Sequence, residues 1–150
     1  CHSTQALFQH TNLHYHYDQL QAGQTASFSK TITEHDVYTF AGVTGDLNPA
    51  HINEPFARQT QFHGRIAHGM LSAGLISAVI GMHLPGPGTI YLGQELSFRS
   101  PVRIGDTITA TVTVRSLNPE RNRAELDTVC TNQDGVQVVT GTAKVMPPKV

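Results

Sequence analysis

From Ile66 to Gln94 the chain carries no Asp, Glu, Lys or Arg, and inside that span Gly69 to Met82 is apolar on every side of a helical wheel. A charge-free run belongs either in a membrane or in the middle of a protein. Gly69 to Met82 is only 14 residues and includes Ser72, Gly74 and Ser77. That is too short for a membrane span and suits a buried core helix. Pro85-Gly86-Pro87-Gly88 ends it, because proline removes the helical donor and glycine favours turns. A helix with no polar face must be covered all round, so the rest of the chain has to wrap it.

The downstream sequence supplies the wrapping. Thr89 to Phe98, Asp106 to Leu117, Arg123 to Thr131 and Val136 to Val145 are β-rich. In the second of these, Ile108, Ala110, Val112 and Val114 alternate with threonines, the period of two of a strand with one buried face. Asn118-Pro119 and Asp134-Gly135 mark hairpin turns, and the expected arrangement is an antiparallel meander. Upstream, Thr25 to Thr33 reads as a short strand. Thr33 then caps a helix with Glu34 and Asp36 in its first turn and Gly45 at its end. Asn48-Pro49 is a turn signal, and Asn53-Glu54-Pro55 opens a short helix to about Gln59. The expected fold class is α+β, an antiparallel sheet wrapped around a long central helix. Residues 17–150 read as one domain, and residues 1–16 as a polar, flexible lead-in.

The balance of 10 Lys and Arg against 11 Asp and Glu argues against a basic nucleic-acid surface or an anionic-membrane patch. Charged residues make up only 14% of the chain, below the usual figure of about 25%, which suits a surface partly hidden in an oligomer. Cys1 and Cys130 cannot make a disulfide framework, and no stretch near the start joins basic residues to an apolar run. The expected location is cytoplasmic. No Cys or His set has the usual metal-ligand spacing, so no metal is expected. His2, His10, His14 and His16 read either as a His-rich metal tract or as part of the lead-in.

The segment that can carry chemistry is Gly45-Asp46-Leu47-Asn48-Pro49-Ala50-His51. Asp46 and His51 stand five residues apart across a proline-stiffened turn, so both side chains can converge on one water without touching. Together they supply an acid and a base near neutral pH. The alternative is that Asp46 caps the turn and His51 is an ordinary surface residue. Asn48 is a candidate for fixing the turn through local hydrogen bonds. His68-Gly69-Met70 opens the buried helix, whose first N–H groups carry partial positive charge. A carbonyl oxygen set against the Gly69 N–H would be polarised, unless that glycine only permits close packing. Ser77 lies about two turns on, either facing the same site or bonding back to a helix carbonyl.

At these residues the sequence resembles the MaoC-like, R-specific enoyl-CoA hydratases, whose fold is the hot dog. The resemblance is carried by Tyr38-Thr-Phe-Ala-Gly-Val-Thr-Gly-Asp46-Leu-Asn48-Pro49-Ala-His51, by Arg65-Ile-Ala-His68-Gly69-Met70-Leu71, and by Pro87 to Asp106, in that order. It implies reversible hydration of a trans-2-enoyl-CoA to an (R)-3-hydroxyacyl-CoA. Asp46 and His51 would be the catalytic pair, Gly69 N–H the oxyanion donor and Ser77 a polar group near the thioester. It further implies a homodimer with sheets joined edge to edge, and no cofactor beyond the coenzyme A that the substrate brings. Ala73, Ser77 and Ile80 are candidate walls for a short to medium acyl chain. Ala50 and Asn53 depart from the family pattern, which has a larger aliphatic residue and often an acidic one there. Rival readings are a thioesterase or carrier-protein dehydratase of the same fold, a non-catalytic acyl-CoA-binding domain, and a metal protein using His63 and His68.

Overall fold

The computed structural model describes residues 19–149; the histidines at positions 2, 10, 14 and 16, and with them the expected lead-in, lie outside the described residues. Strand β1 (Thr25–Thr31) runs into Ile32, which is buried, and then into helix α1 (Glu34–Thr44). The expected cap is in place. Thr33 Oγ1 accepts from Asp36 N, and the Asp36 carboxylate accepts from Thr33 N at 2.9 Å. Gly45 ends α1 at φ 81°, a left-handed conformation that costs glycine nothing.

The Asn48-Pro49 turn holds a short helix, α2 (Pro49–Ile52), and α3 (Glu54–Ala57) follows at once. Both begin on an asparagine. Asn48 Oδ1 accepts from Ala50 N, and Asn53 Oδ1 accepts from Phe56 N. Asn53 thus performs at α3 the capping that an acidic residue would perform. The long apolar helix is α4 (Gly69–Met82), followed by β2 (Ile90–Phe98), β3 (Thr107–Asn118), β4 (Arg123–Thr131) and β5 (Gln137–Met146).

The five strands form one antiparallel sheet in the order β1-β3-β4-β5-β2. This corrects the expected meander: only β3, β4 and β5 follow one another, and β2 pairs with β5 at the far edge. The reason lies in the connection after β2. It holds Pro101 and makes no tight turn, but crosses beneath the start of α4, where Ala67 N donates to Val102 O at 2.8 Å and Ile66 bridges to Arg103.

Along β3 the inward face is Ile108, Ala110, Val112 and Val114, all buried. The threonines opposite form a hydroxyl ladder with β1, Ser29 to Thr109 at 2.6 Å and Thr31 to Thr107 at 2.7 Å. Helix α4 packs against β3 and also touches β1, β4 and β5. It is not covered all round, contrary to expectation. Leu75, Ile76, Val79 and Ile80 are buried, whereas Gly74, Ser77 and Met82 are exposed in the single chain. The periodicity could not reveal that stripe, because small and apolar residues occupy it in place of charges. Among the described residues no helix is long and apolar enough to cross a membrane.

Cys130, on β4, is buried with its Sγ 3.5 Å from the Ser72 carbonyl, and burial pushes its thiol up to about 12. A thiol held protonated is a poor nucleophile. Iodoacetamide at neutral pH is therefore expected to leave Cys130 unmodified in the native protein and to alkylate it in urea. Equal labelling in both would contradict the burial.

Candidate active site

The loop after α1 is tied down by two local bonds and by one to the segment before α4. Asp46 N donates to Thr44 Oγ1, Asn48 N donates to Asp46 Oδ1, and Ile66 N donates to Ala50 O. Asn48 fixes the turn as its side chain suggested. Arg65 clamps the neighbouring elements, reaching Glu34 on α1 at 2.6 Å and Glu54 on α3 at 3.3 Å. Its hydrogen bond holds the Glu34 carboxyl below the usual range.

His51 is buried, which removes the reading of it as a surface residue. Its Nδ1 lies 2.7 Å from the Ile66 carbonyl. A carbonyl can only accept, so Nδ1 carries the proton and Nε2 of the neutral ring is left as an acceptor. Asp46 is exposed in the single chain, and its carboxylate comes close to His51. One ligating atom from each of Asp46, His51 and His68 lies within 4.8 Å of the others. A single water donating and accepting at ordinary hydrogen-bond lengths spans such a gap.

The third member, His68, is read from the sequence only as the start of the buried helix and, with His63, as a metal ligand, not as a neighbour of Asp46 and His51. The signal was present: a histidine immediately before the glycine that opens a charge-free helix. One carboxylate and two imidazoles are also donors suited to a divalent metal, a convergence in space that spacing along the chain does not reveal. His63, the other histidine weighed for that role, is not part of the cluster.

These groups open onto a cavity of about 440 Å³ lined by Asp46, His51, His68, Gly69 and Ser72, with Phe62, Phe98, Val102 and Val139 among its apolar walls. The first turn of α4 faces it, and no side chain caps that turn. An uncapped helix start with free N–H groups is a ready acceptor site for an oxyanion. Gly69 also answers to packing: a Cβ there would stand 2.6 Å from the Phe98 ring. Asp46, His51 and Gly69 thus line one cavity. Ser77 sits on the exposed side of α4, outside this lining, and Ala73 and Ile80 are buried in the core and not in the cavity wall. The sequence reading missed Phe98 and Ser72, which spacing alone could not assign to one cavity.

A model of the MaoC-like domain matches residues 18–136. The chain is 57% identical to an (R)-specific enoyl-CoA hydratase of Rhodospirillum rubrum, over 91% of this chain and 93% of the relative. It is 50% identical to a 3-hydroxybutyryl-CoA dehydratase of Methylorubrum extorquens, over 89% of this chain and 85% of the relative. The fold superposes on the unliganded R-hydratase of Pseudomonas aeruginosa with a TM-score of 0.87 at 47% identity, covering 91% of this chain and 88% of that one. The motif blocks, the sheet wrapped on α4 and the matched length converge on one assignment: this chain belongs to the MaoC-like domain family.

Proposed function

We propose that this chain reversibly hydrates trans-2-enoyl-CoA thioesters to (R)-3-hydroxyacyl-CoA. The observation that carries the reading is the shared cavity, in which Asp46 and the open Nε2 of His51 face the uncapped start of α4. Asp46 and His51 hold a water against C3 of the enoyl group. His51 Nε2 takes a proton as the oxygen attacks C3, and the thioester becomes an enolate whose oxygen is held by the Gly69 N–H. The same proton then passes from His51 to C2, completing the addition of one water. General acid–base help contributes roughly 10²–10⁴-fold and one oxyanion donor about 10²–10³-fold.

Nothing in this sequence of steps calls for a metal or a cofactor; coenzyme A is carried by the substrate. A cavity of about 440 Å³ is toward the small end of ligand pockets and suits a short to medium acyl chain. The proposal extends to Ser77 as a polar group near the thioester, which requires that its side of α4 be covered by a second copy. Two copies joined along β2 would form the homodimer, since that edge exposes Ile90 and Leu92 beside unpaired backbone groups. CoA thioesters are intracellular metabolites, which suits a cytoplasmic site of action.

The test is loss of the conjugated-thioester absorbance of crotonyl-CoA, with the configuration of the product determined. Loss that yields the (R)-hydroxy thioester is expected. No loss with any enoyl chain, together with thiol release from saturated acyl-CoA, would replace the reading with a thioesterase. Binding without turnover would replace it with an acyl-CoA-binding domain.

A further inference from the structure

We propose that His68 is a positioning residue that locks the Asp46–His51 pair in register with the first free N–H of α4. The inference rests on the hydratase reading and adds a third side chain to it. His68 Nε2 lies 2.9 Å from the backbone carbonyl of Asp46, so this nitrogen carries the proton and donates. The His68 ring packs on the His51 ring with centroids 3.9 Å apart and planes 31° apart, and Phe40 packs on it at 4.8 Å. The main chain of His68 is the N-cap of α4, so the residue holding Asp46 is bonded directly to the Gly69 N–H.

The reaction makes this linkage matter. Water attacks C3 while the thioester oxygen, on C1 of the same small conjugated unit, takes up the charge. The water-holding pair and the N–H donor must therefore be spaced to fractions of an ångström, and a misplacement of about 1 Å costs about 10²-fold. Bonds within the Asp46 loop run to Thr44 and Asn48, its own neighbours. Further along, Ala50 and His51 are bonded to Ile66, and among the described residues His68 is the side chain that ties Asp46 itself to the start of α4.

One further observation separates this role from packing. His68 is 2% exposed, and its Nδ1 is buried with no partner. A buried, unpaired polar atom is destabilising, so an apolar ring would fill the space better if packing were the whole role. The imidazole is accounted for by what its other nitrogen does.

The experiment measures kcat and KM for crotonyl-CoA in wild type, His68→Phe and His68→Gln, with the His68 tautomer read by ¹⁵N NMR. Phe keeps the bulk and the stacking but loses the donor, while Gln restores an N–H in place of Nε2. Expected are a kcat about 10²-fold lower in His68→Phe with KM little changed, recovery of at least about tenfold of that loss in His68→Gln, and a wild-type ring protonated at Nε2. A His68→Phe kcat equal to wild type, a folded His68→Gln no faster than His68→Phe, or a ring protonated at Nδ1 alone would overturn the proposal. If His68→Phe does not fold, the tautomer and the His68→Gln kcat decide it. A wild-type protein inactive on every enoyl-CoA would instead remove the hydratase reading, leaving the tautomer to report on the His68 contact itself.

Discussion

Asp46→Asn is expected to lower kcat for crotonyl-CoA hydration by about 10²–10³-fold and to move the melting midpoint by no more than about 2 °C. The two effects separate because Asp46 is exposed, and Asn can still accept from Asn48 N through its side-chain oxygen. What the substitution removes is the negative carboxylate that orients and polarises the water. His51→Ala is expected to lose activity to a similar extent, but it also costs about 1–3 kcal/mol of stability, because the part-buried Ile66 carbonyl loses its donor and the buried ring leaves a space. Rates measured beside melting curves for both variants test the pair. Near-normal hydration by Asp46→Asn would remove its part in holding and polarising the water, and equal destabilisation by both would return Asp46 to a structural part in its turn.

The largest loss of stability from a single methyl group is expected at Gly141, in the middle of β5. A Cβ there would be driven into the carbonyl oxygen and carbon of Glu95 on β2, with the Gln94 side-chain nitrogen also in contact. These are backbone atoms held in register, with Leu96 opposite Gly141 on β2 and Thr128 opposite it on β4, so neither side can give way. Gly141→Ala should cost on the order of 3 kcal/mol and lower the midpoint by about 6–12 °C. Gly42→Ala provides the opposite case. Position 42 lies inside α1 with nothing within 4 Å of an added Cβ, and a helical Gly→Ala change there stabilises by about 1 kcal/mol. If Gly141→Ala melted with wild type, the β2–β5 pairing described above would be wrong.

The contrast between these sites shows what can be read from residue order. Thr33, Asp36 and Gly45 bound α1 through local hydrogen bonds and one positive φ, and local chemistry is written in neighbouring residues. The threonine alternation in β3 is legible for the same reason. Asp46 and His51 could be paired because only a short, stiffened turn separates them. What was not legible depends on contacts distant in sequence. β2 chooses β5 over β3 because the chain after Phe98 passes under α4. The exposed stripe of α4 is apolar or small, so hydropathy reports burial there and the single chain does not supply it. His68 is 22 residues from Asp46, and no spacing rule links a side chain to a carbonyl at that remove.

The position of β2 has a consequence for the order in which the protein forms. β3, β4 and β5 follow one another through short turns, so their hairpins close locally and early. β2 is made before them in the chain, yet its partner is β5, so it has no sheet edge to dock on until the hairpins exist. Phe98 and Val102, which wall the cavity, come into place only with that docking. Refolding should therefore recover most of its strand signal before it recovers hydration, because the pocket is completed by the last strand to join.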